Sequence, residues 1–461
     1  MIVPLELAMT ATGATLVGAD SAPPGLRVTT DTRTLEPGDT FLALRGEHFD
    51  GHDFAAEAVR RGAAMLIVDR FEARAGPTPV MLVGQTRRAY MCLAEAARGL
   101  FRGRVVAITG STGKTTTRSF LSQLLAARYG DRVLSTPGNE NNEIGVSKLL
   151  LNASNEAHDV AVVEMGARHY GDVATLVAIA RPEVGILTNV GEAHLEIMGS
   201  RERLEETKWA LFSRGAHGVL NREDPASRTR ASALAEPPHW FAAVAERASL
   251  EVGERFEPLI AIVGNRRLVR RVGGRTVEHE VDVRVPGLHN RANLAAAAAG
   301  ALELGVALES LSARIPTLQL PQGRYDRIAV EGGVRVIYDA YNANASGMIA
   351  ALDAFGGERA SRRIAVLGSM AELGEESQTL HERVGAHAAT RVDVLLVRGE
   401  FAAALARGAQ RAGLASTQIV QIADNAQAAQ WLREHASRDD VVLLKGSRKY
   451  KLEEIVEELR A

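Results

Sequence analysis

A single cysteine, Cys92, in 461 residues excludes an internal disulfide framework and fits a reducing compartment. Charge of one sign is also missing. The formal net charge is −2, so the chain lacks the basic face on which nucleic-acid affinity depends. Its one dense cationic run, RRLVRRVGGR (266–275), reads as a solvated hairpin turning at Gly273 and Gly274. The opening MIVPLELAMTATG has no basic stretch ahead of an apolar core, so no secretion signal is expected. No apolar run approaches the roughly 20 residues needed to cross a bilayer, and there is no short-period repeat or low-complexity tract. The expectation is a cytoplasmic monomer with neither a nucleic-acid partner nor membrane insertion.

What is present is an alternation of strands and helices in three stretches, within the two to four domains expected at about 100–200 residues each. Residues 1–100 carry turn punctuation in LEPGDTFLALRGEHFDGHDF, then a helix–Gly62–strand unit in FAAEAVRRGAAMLIVD and a second helix in TRRAYMCLAEAARGL. Over residues 101–322, RVVAITG, DVAVVEMG and EVGILTNV are apolar throughout, as strands covered on both faces require. Between them KTTTRSFLSQLLAARY places Phe120, Leu121, Leu124 and Leu125 on one helical face before a Gly130 stop. RRLVRRVGGRTVEHEVDVRVPG alternates as an antiparallel addition, and NRANLAAAAAGALELG is a helix of small residues for close packing. Over residues 323–461 the alternation restarts with RVIYDAY, RRIAVLGSM, DVLLVRGE, TQIVQIAD and DVVLLKGS. The predicted fold is α/β in three domains: a small N-terminal α/β domain (1–100), a central P-loop parallel-sheet ATPase domain (101–322) and a C-terminal Rossmann-like domain (323–461).

The chemistry begins at AITGSTGKTTTRSF (107–120). Five residues before Gly113 stands Ile108, not glycine, so the loop is the shortened G-x-x-G-K-T from Gly110. Backbone N–H groups of Gly110, Ser111, Thr112 and Gly113 at a helix N-terminus make an anion cradle, with Thr116 in the helix's first turn. Lys114 can reach terminal phosphates, and the Thr115 hydroxyl can meet Mg²⁺. Glu164 ends a neighbouring strand, where a carboxylate can also hold Mg²⁺. Two residues read more blandly on spacing alone. His194 in TNVGEAHLEIMGS fits a satisfied loop histidine, and Lys208 in RLEETKWALF fits a solvated helix charge. Farther on, Asp339 follows an apolar strand, and Lys445, Ser447 and Arg448 follow the last strand, where an anion could be held.

Taken together these motifs resemble the Mur ligase family, ATP-dependent amide-bond ligases of bacterial peptidoglycan precursor synthesis. Its phosphate loop has the short form, and the resemblance covers nearly the whole chain. TPGNENNEIGVSKLLL, DAYNANASGM, GSMAELGEES with His381, and KGSRKYKLEEIV are most similar to the branch that joins D-Ala-D-Ala to UDP-N-acetylmuramoyl-tripeptide. That branch commonly shows D-D-S-Y-N-A-N-P-x-S-M. Here the first Asp, the Pro and both Ser are replaced, with Ala345 at the Pro and Ala340 and Gly347 at the Ser positions, while Asp339 and the Y-N-A-N core remain. The D-N-P-R signature of the sibling that adds the diamino acid is absent.

The resemblance implies roles. Lys208 falls where the family has a lysine carbamylated by carbon dioxide, able to ligate one of two Mg²⁺ ions, with Thr115, Glu164 and His194 completing the metal set. Asn293 matches a residue near adenine, and Arg324 and Asp339 match residues that reach the ATP when the domains close. Lys114, Lys208, His194 and Arg324 are the expected catalytic groups. Thr32, Arg33 and His52 are candidates for the uridine diphosphate, and Asn142, Asn342, Asn344, Lys445, Ser447 and Arg448 for the rest of the substrate.

The implied reaction activates the tripeptide carboxylate as an acyl phosphate, which the amine of D-Ala-D-Ala then attacks. Two alternatives remain at this point. One is another Mur-type or folate-type amide ligase. The other is a nucleotide-dependent switch, for which Asn221 and Asp224 in VLNRED imitate a guanine-reading motif.

Overall fold

The apolar runs form three large β-sheets, beside a two-stranded pair of Val3–Pro4 with Gly25–Leu26, in the computed structural model, which describes residues 1–70, 78–191, 195–250, 256–330 and 333–460. The first is five-stranded, in the order Thr15–Val17, Val80–Leu82, Met65–Val68, Thr40–Leu42, Val28–Thr29, parallel except for its first pair. The second is nine-stranded and dominates the molecule. From one edge it runs Val133–Ser135, Val160–Glu164, Arg104–Thr109, Val184–Leu187, His217–Asn221, His239–Val244 and Leu259–Val263, all parallel. It closes with the antiparallel hairpin Arg267–Val272 and Arg275–Glu280. That hairpin is the cationic run, and it turns at Gly273 and Gly274, both at positive φ (+57° and +72°), as a two-residue turn of this hand requires. The third sheet is six-stranded: Asp326–Ala329, Arg335–Tyr338, Val441–Lys445, Arg363–Gly368, Val394–Arg398, Ile419–Ile422, parallel after its first pair.

The reason these strands are apolar without alternation is visible in their packing. In Arg104–Thr109, Val105 and Ala107 face one hydrophobic cluster while Val106 and Ile108 face another on the opposite side. Ile364 and Val366 against Ala365 and Leu367 repeat this division in the third sheet. Helix Lys114–Tyr129 buries Phe120, Leu121, Leu124 and Leu125, the expected face, against the helix Leu288–Glu303. The latter buries Ala295 to Ala299 completely, and the absence of long side chains lets the two helices and the sheet approach closely. A Cβ on Gly300 would lie 2.6 Å from Ile186 Cδ1.

Strands His217–Asn221, His239–Val244 and Leu259–Val263 were not anticipated individually. Short apolar runs carry no period that separates a buried strand from a buried helix segment. Among the described residues no helix is long and apolar enough to cross a membrane.

Candidate active site

The phosphate loop joins the C-terminal end of strand Arg104–Thr109 to helix Lys114–Tyr129. Both glycines are required by geometry. Gly110 has φ +147°, and a Cβ there would stand 1.9 Å from Thr188 Oγ1. Gly113 has φ +83°, and its Cβ would lie 2.2 Å from Asn293 Oδ1. The neighbouring strand's end holds the loop in shape. Asn189 accepts from the N–H groups of Ser111 (its carbonyl, 3.0 Å) and Thr112 (Oδ1, 3.1 Å), and Thr188 Oγ1 donates to Thr112 O at 2.6 Å. The Ser111 hydroxyl accepts from Gly191 N at 2.9 Å, and the Thr116 side chain is buried in the first turn. Lys114 Nζ donates to Gly110 O at 2.7 Å. Burial lowers the Lys114 pKa; Glu164 opposes that shift and Arg324 adds to it.

Parallel register places Glu164 opposite Ile108, two positions before Gly110. Its carboxylate, 1% exposed, is built into a cage. Thr115 Oγ1 donates to Oε1 at 3.1 Å, Asn141 Nδ2 donates to the same oxygen at 2.9 Å, and Arg118 Nε donates to Oε2 at 3.0 Å. The Thr115 hydroxyl and the Glu164 carboxylate therefore converge beside the loop.

Lys208 departs from the reading by spacing alone. It is buried to 1% exposure with Leu204 and Thr207 on the inner face of helix Arg201–Trp209, whose Ser200 cap accepts from Arg203 N at 3.2 Å. Burial drives its pKa well below the ordinary lysine value, and the charge of Lys114 adds to the effect. A solvated lysine would show neither feature.

The third sheet supplies the opposite wall. Phosphate-loop residues, Glu164 and Asn293 share a cleft of ≈ 660 Å³ with Arg324, Asp339, Lys445 and Arg448. Asp339 follows strand Arg335–Tyr338 and is paired with Lys445 at 3.0 Å, whose Nζ also donates to Asp339 O (2.9 Å) and Asn342 O (3.2 Å). Arg324 lies over the Tyr341 ring at 4.7 Å and Arg448 at 5.9 Å, so the aromatic face holds two guanidiniums at the cleft. Ser447 and Asn342 line the same wall. Asn344 also lines it, although its Oδ1 caps helix Ala345–Gly356 by accepting from Gly347 N at 2.8 Å. That cap accounts for the helix start without the proline of the related sequences.

Other expected residues lie elsewhere. Asn142 is the exposed cap of helix Glu143–Leu151, accepting from Gly145 N at 2.9 Å, and its neighbours Asn139 and Asn141 line the cleft instead. His52 serves the N-terminal fold: Nδ1 pairs with Asp50 at 2.5 Å, and Nε2 accepts from Asp69 N at 3.2 Å. Arg33 is exposed and paired with Asp31 at 2.7 Å, with Thr32 half-buried beside it. His194 lies outside the described residues. His381, buried, accepts from Met370 N at 2.8 Å and stacks on Phe401, which is a structural position.

Sequence reasoning missed Arg118, Asn141 and His289. Arg118 falls four residues after Lys114, one helical turn on, which was a usable signal. His289 carried none. It lines the cleft, where burial lowers its pKa to about 4, Asp339 opposing and Lys445 adding. Asn221 and Asp224 do not form a base-reading site. Asn221 Nδ2 donates to Thr188 O at 2.9 Å, and Asp224 accepts from Val190 N at 3.0 Å and Ser227 N at 2.9 Å.

Known proteins match this arrangement along the chain. The Mur ligase family catalytic domain matches residues 27–96, the Mur ligase middle domain 108–301 and the Mur ligase glutamate ligase domain 323–448. UDP-N-acetylmuramoyl-tripeptide--D-alanyl-D-alanine ligase of Escherichia coli (strain K12) is 34% identical over 452 residues, covering 94% of this chain and 93% of the relative. The chain belongs to the Mur ligase family. The enzyme of the same name from Bacillus subtilis (strain 168) is 32% identical, with 94% and 92% covered. Among solved Mur ligases, MurF from Acinetobacter baumannii superposes with a TM-score of 0.85 at 28% identity, over 100% of this chain and 99% of the other. MurF from Thermotoga maritima in complex with ADP gives 0.78 at 29% identity, over 94% and 97%.

Proposed function

We propose that this Mur ligase joins D-Ala-D-Ala to the terminal carboxylate of UDP-N-acetylmuramoyl-tripeptide, converting ATP to ADP and phosphate. The observation that carries the reading is the shared cleft. A phosphate loop from one sheet faces Arg324, Asp339, Lys445 and Arg448 from another. Such a division suits a reaction that brings an anionic acceptor to a triphosphate. The names of the relatives supply the substrates. In this reading residues 1–100 hold the uridine diphosphate end, with Thr32 and Arg33 as contacts, 101–322 hold ATP, and 323–461 complete the site.

The tripeptide carboxylate oxygen attacks the γ-phosphorus, and the bond from that phosphorus to the β,γ-bridging oxygen breaks, leaving ADP. The amine of D-Ala-D-Ala attacks the acyl carbon, the C–O bond to phosphate breaks, and the amine proton is lost to solvent. ATP is needed because a carboxylate is a poor electrophile and phosphate a good leaving group. The loop amides and Lys114 cradle the triphosphate, and Arg324 and Arg448 offset the repulsion between it and the incoming carboxylate; such preorganised charge is usually the largest catalytic contribution. Covering the cleft from two sheets excludes water from the acyl phosphate.

The donor set fits Mg²⁺. The hydroxyl of Thr115 and the carboxylate of Glu164, 3.1 Å apart, are hard oxygen donors beside the loop. Thr115, Glu164, His194 and a carbamylated Lys208 would hold it, and when bound it neutralises phosphate charge. Burial favours the neutral Lys208 amine, the form that combines with carbon dioxide by forming an N–C bond and releasing a proton.

Phosphate release tests the assignment. UDP-N-acetylmuramoyl-tripeptide with D-Ala-D-Ala and ATP should release phosphate in step with amide product, whereas glutamate or single amino acids in place of the dipeptide should not. Turnover with glutamate and none with D-Ala-D-Ala would move the chain to a folate-type or other Mur-type activity.

A further inference from the structure

The end of the nine-stranded sheet remote from the cleft, where the parallel strands begin, gathers His217, His239 and Glu303. His217 and His239 begin the adjacent parallel strands His217–Asn221 and His239–Val244, so both stand at the strand ends opposite the phosphate loop. Glu303 is the last residue of helix Leu288–Glu303, about 15 Å along the axis from Asn293 at 1.5 Å per residue. One ligating atom from each of the three lies within 4.8 Å of the others. His239 Nδ1 contacts Glu303 Oε1, and His217 Nε2 lies 3.8 Å from Glu303 Oε2. The imidazoles meet edge to face with centroids 5.3 Å apart.

The orientation of His217 is the informative feature. Its Nδ1 faces Glu236 Oε2 at 3.4 Å, a contact that suits a ring proton on Nδ1. In that tautomer Nε2, on the side of Glu303, turns its lone pair toward the cluster. This nitrogen is buried and, among the described residues, has no hydrogen-bond partner, although a buried polar atom normally finds one. A carboxylate orienting one ring nitrogen so that the other presents its lone pair is the arrangement found behind metal-ligating histidines. The nearby cation Arg104 is engaged with Glu183 at 2.8 Å. The three side chains are each about one-fifth exposed (22%, 23% and 18%), so an ion could enter and keep a water ligand.

We propose that His217, His239 and Glu303 form a site for a borderline divalent transition ion, best matched by Zn²⁺, that ties the starts of two strands to the end of helix Leu288–Glu303. Two imidazole nitrogens and one carboxylate oxygen with a fourth position open to water are a zinc-type donor set. Mg²⁺ and Ca²⁺ instead require oxygen ligands, so this site is chemically separate from the one beside the phosphate loop. The role is structural, because none of the three is among the described residues that line the cleft.

The test is Zn²⁺ titration of the untagged full-length protein by calorimetry, with millimolar Mg²⁺ and ADP present to mask the phosphate site, and Co²⁺ absorption as a second readout. The wild type should bind one equivalent of Zn²⁺ and give the intense visible bands of four-coordinate Co²⁺. His217→Gln and His239→Gln should lose both signals while keeping ligase activity. Glu236→Gln, which only orients His217, should weaken binding about 10–100-fold. Absence of Zn²⁺ binding by the wild type, or binding unchanged in both histidine variants, would overturn the proposal and leave the trio as an ion-paired cluster.

Discussion

Replacing Lys208 with methionine should make the protein more stable and inactive at once. The side chain is 1% exposed, and burial sets its native pKa well below the ordinary value. A lysine with a depressed native pKa costs stability. The full penalty is present below the native pKa, and it shrinks as pH rises toward the unfolded value near 10.4. Every unit by which burial lowers the native pKa beneath the unfolded one costs about 1.36 kcal/mol at pH values below both. Methionine has a similar volume and no charge, and imperfect repacking takes back less than about 1.5 kcal/mol. Lys208→Met should therefore gain about 1–3 kcal/mol in urea unfolding at pH 8 in carbon dioxide-free buffer. Trp209, the adjacent residue, makes tryptophan fluorescence a suitable probe. Wild-type stability should also rise with pH above the native pKa, a component the variant lacks, and bicarbonate should stabilise only the wild type. A Lys208→Met protein that is less stable than wild type, or that retains ligase activity, refutes this reasoning.

Lys114→Ala should lower the maximal rate about 10²–10³-fold, the cost of removing a charge-stabilising donor, with an unchanged circular dichroism spectrum; near-normal activity would place the phosphate site elsewhere. Arg324→Ala and Asp339→Ala, on the opposite wall, should reduce kcat more than ATP affinity, and the reverse pattern would make them ground-state binders only. Gly113→Ala puts a methyl 2.2 Å from Asn293 Oδ1 at a φ of +83°, so about 1–3 kcal/mol of local strain should appear as weaker ADP binding by calorimetry. Unchanged ADP affinity would mean that the loop tolerates a different shape.

Residues local in the chain were legible. The loop glycines, Lys114 and Thr115 sit between an apolar run and an amphipathic one, and that order alone implies a strand, a turn and a helix. The hairpin at Gly273 and Gly274 and the alanine-rich helix were equally plain, because turn chemistry and side-chain size act over a few residues. Lys208 was less so. Leu204, Thr207 and Lys208 have the i, i+3, i+4 spacing of a buried face, but charged residues crowd RLEETK and conceal it.

His52 and Asn142 mark the opposite limit. A histidine or asparagine in a loop has the same letters whatever it touches, and only the structure shows the contacts of Asp50 and Asp69 with one, and of Gly145 with the other. Sequence by itself determined the periodicities, the loop chemistry and the family pattern, since these depend on neighbours along the chain. Which carboxylate Arg118 would hold, that Lys208 would be buried, and that Arg324 and Asp339 would share a cleft with Lys114 were decided only by tertiary structure. Burial and convergence depend on residues up to hundreds of positions apart, brought together by the packing of separate sheets.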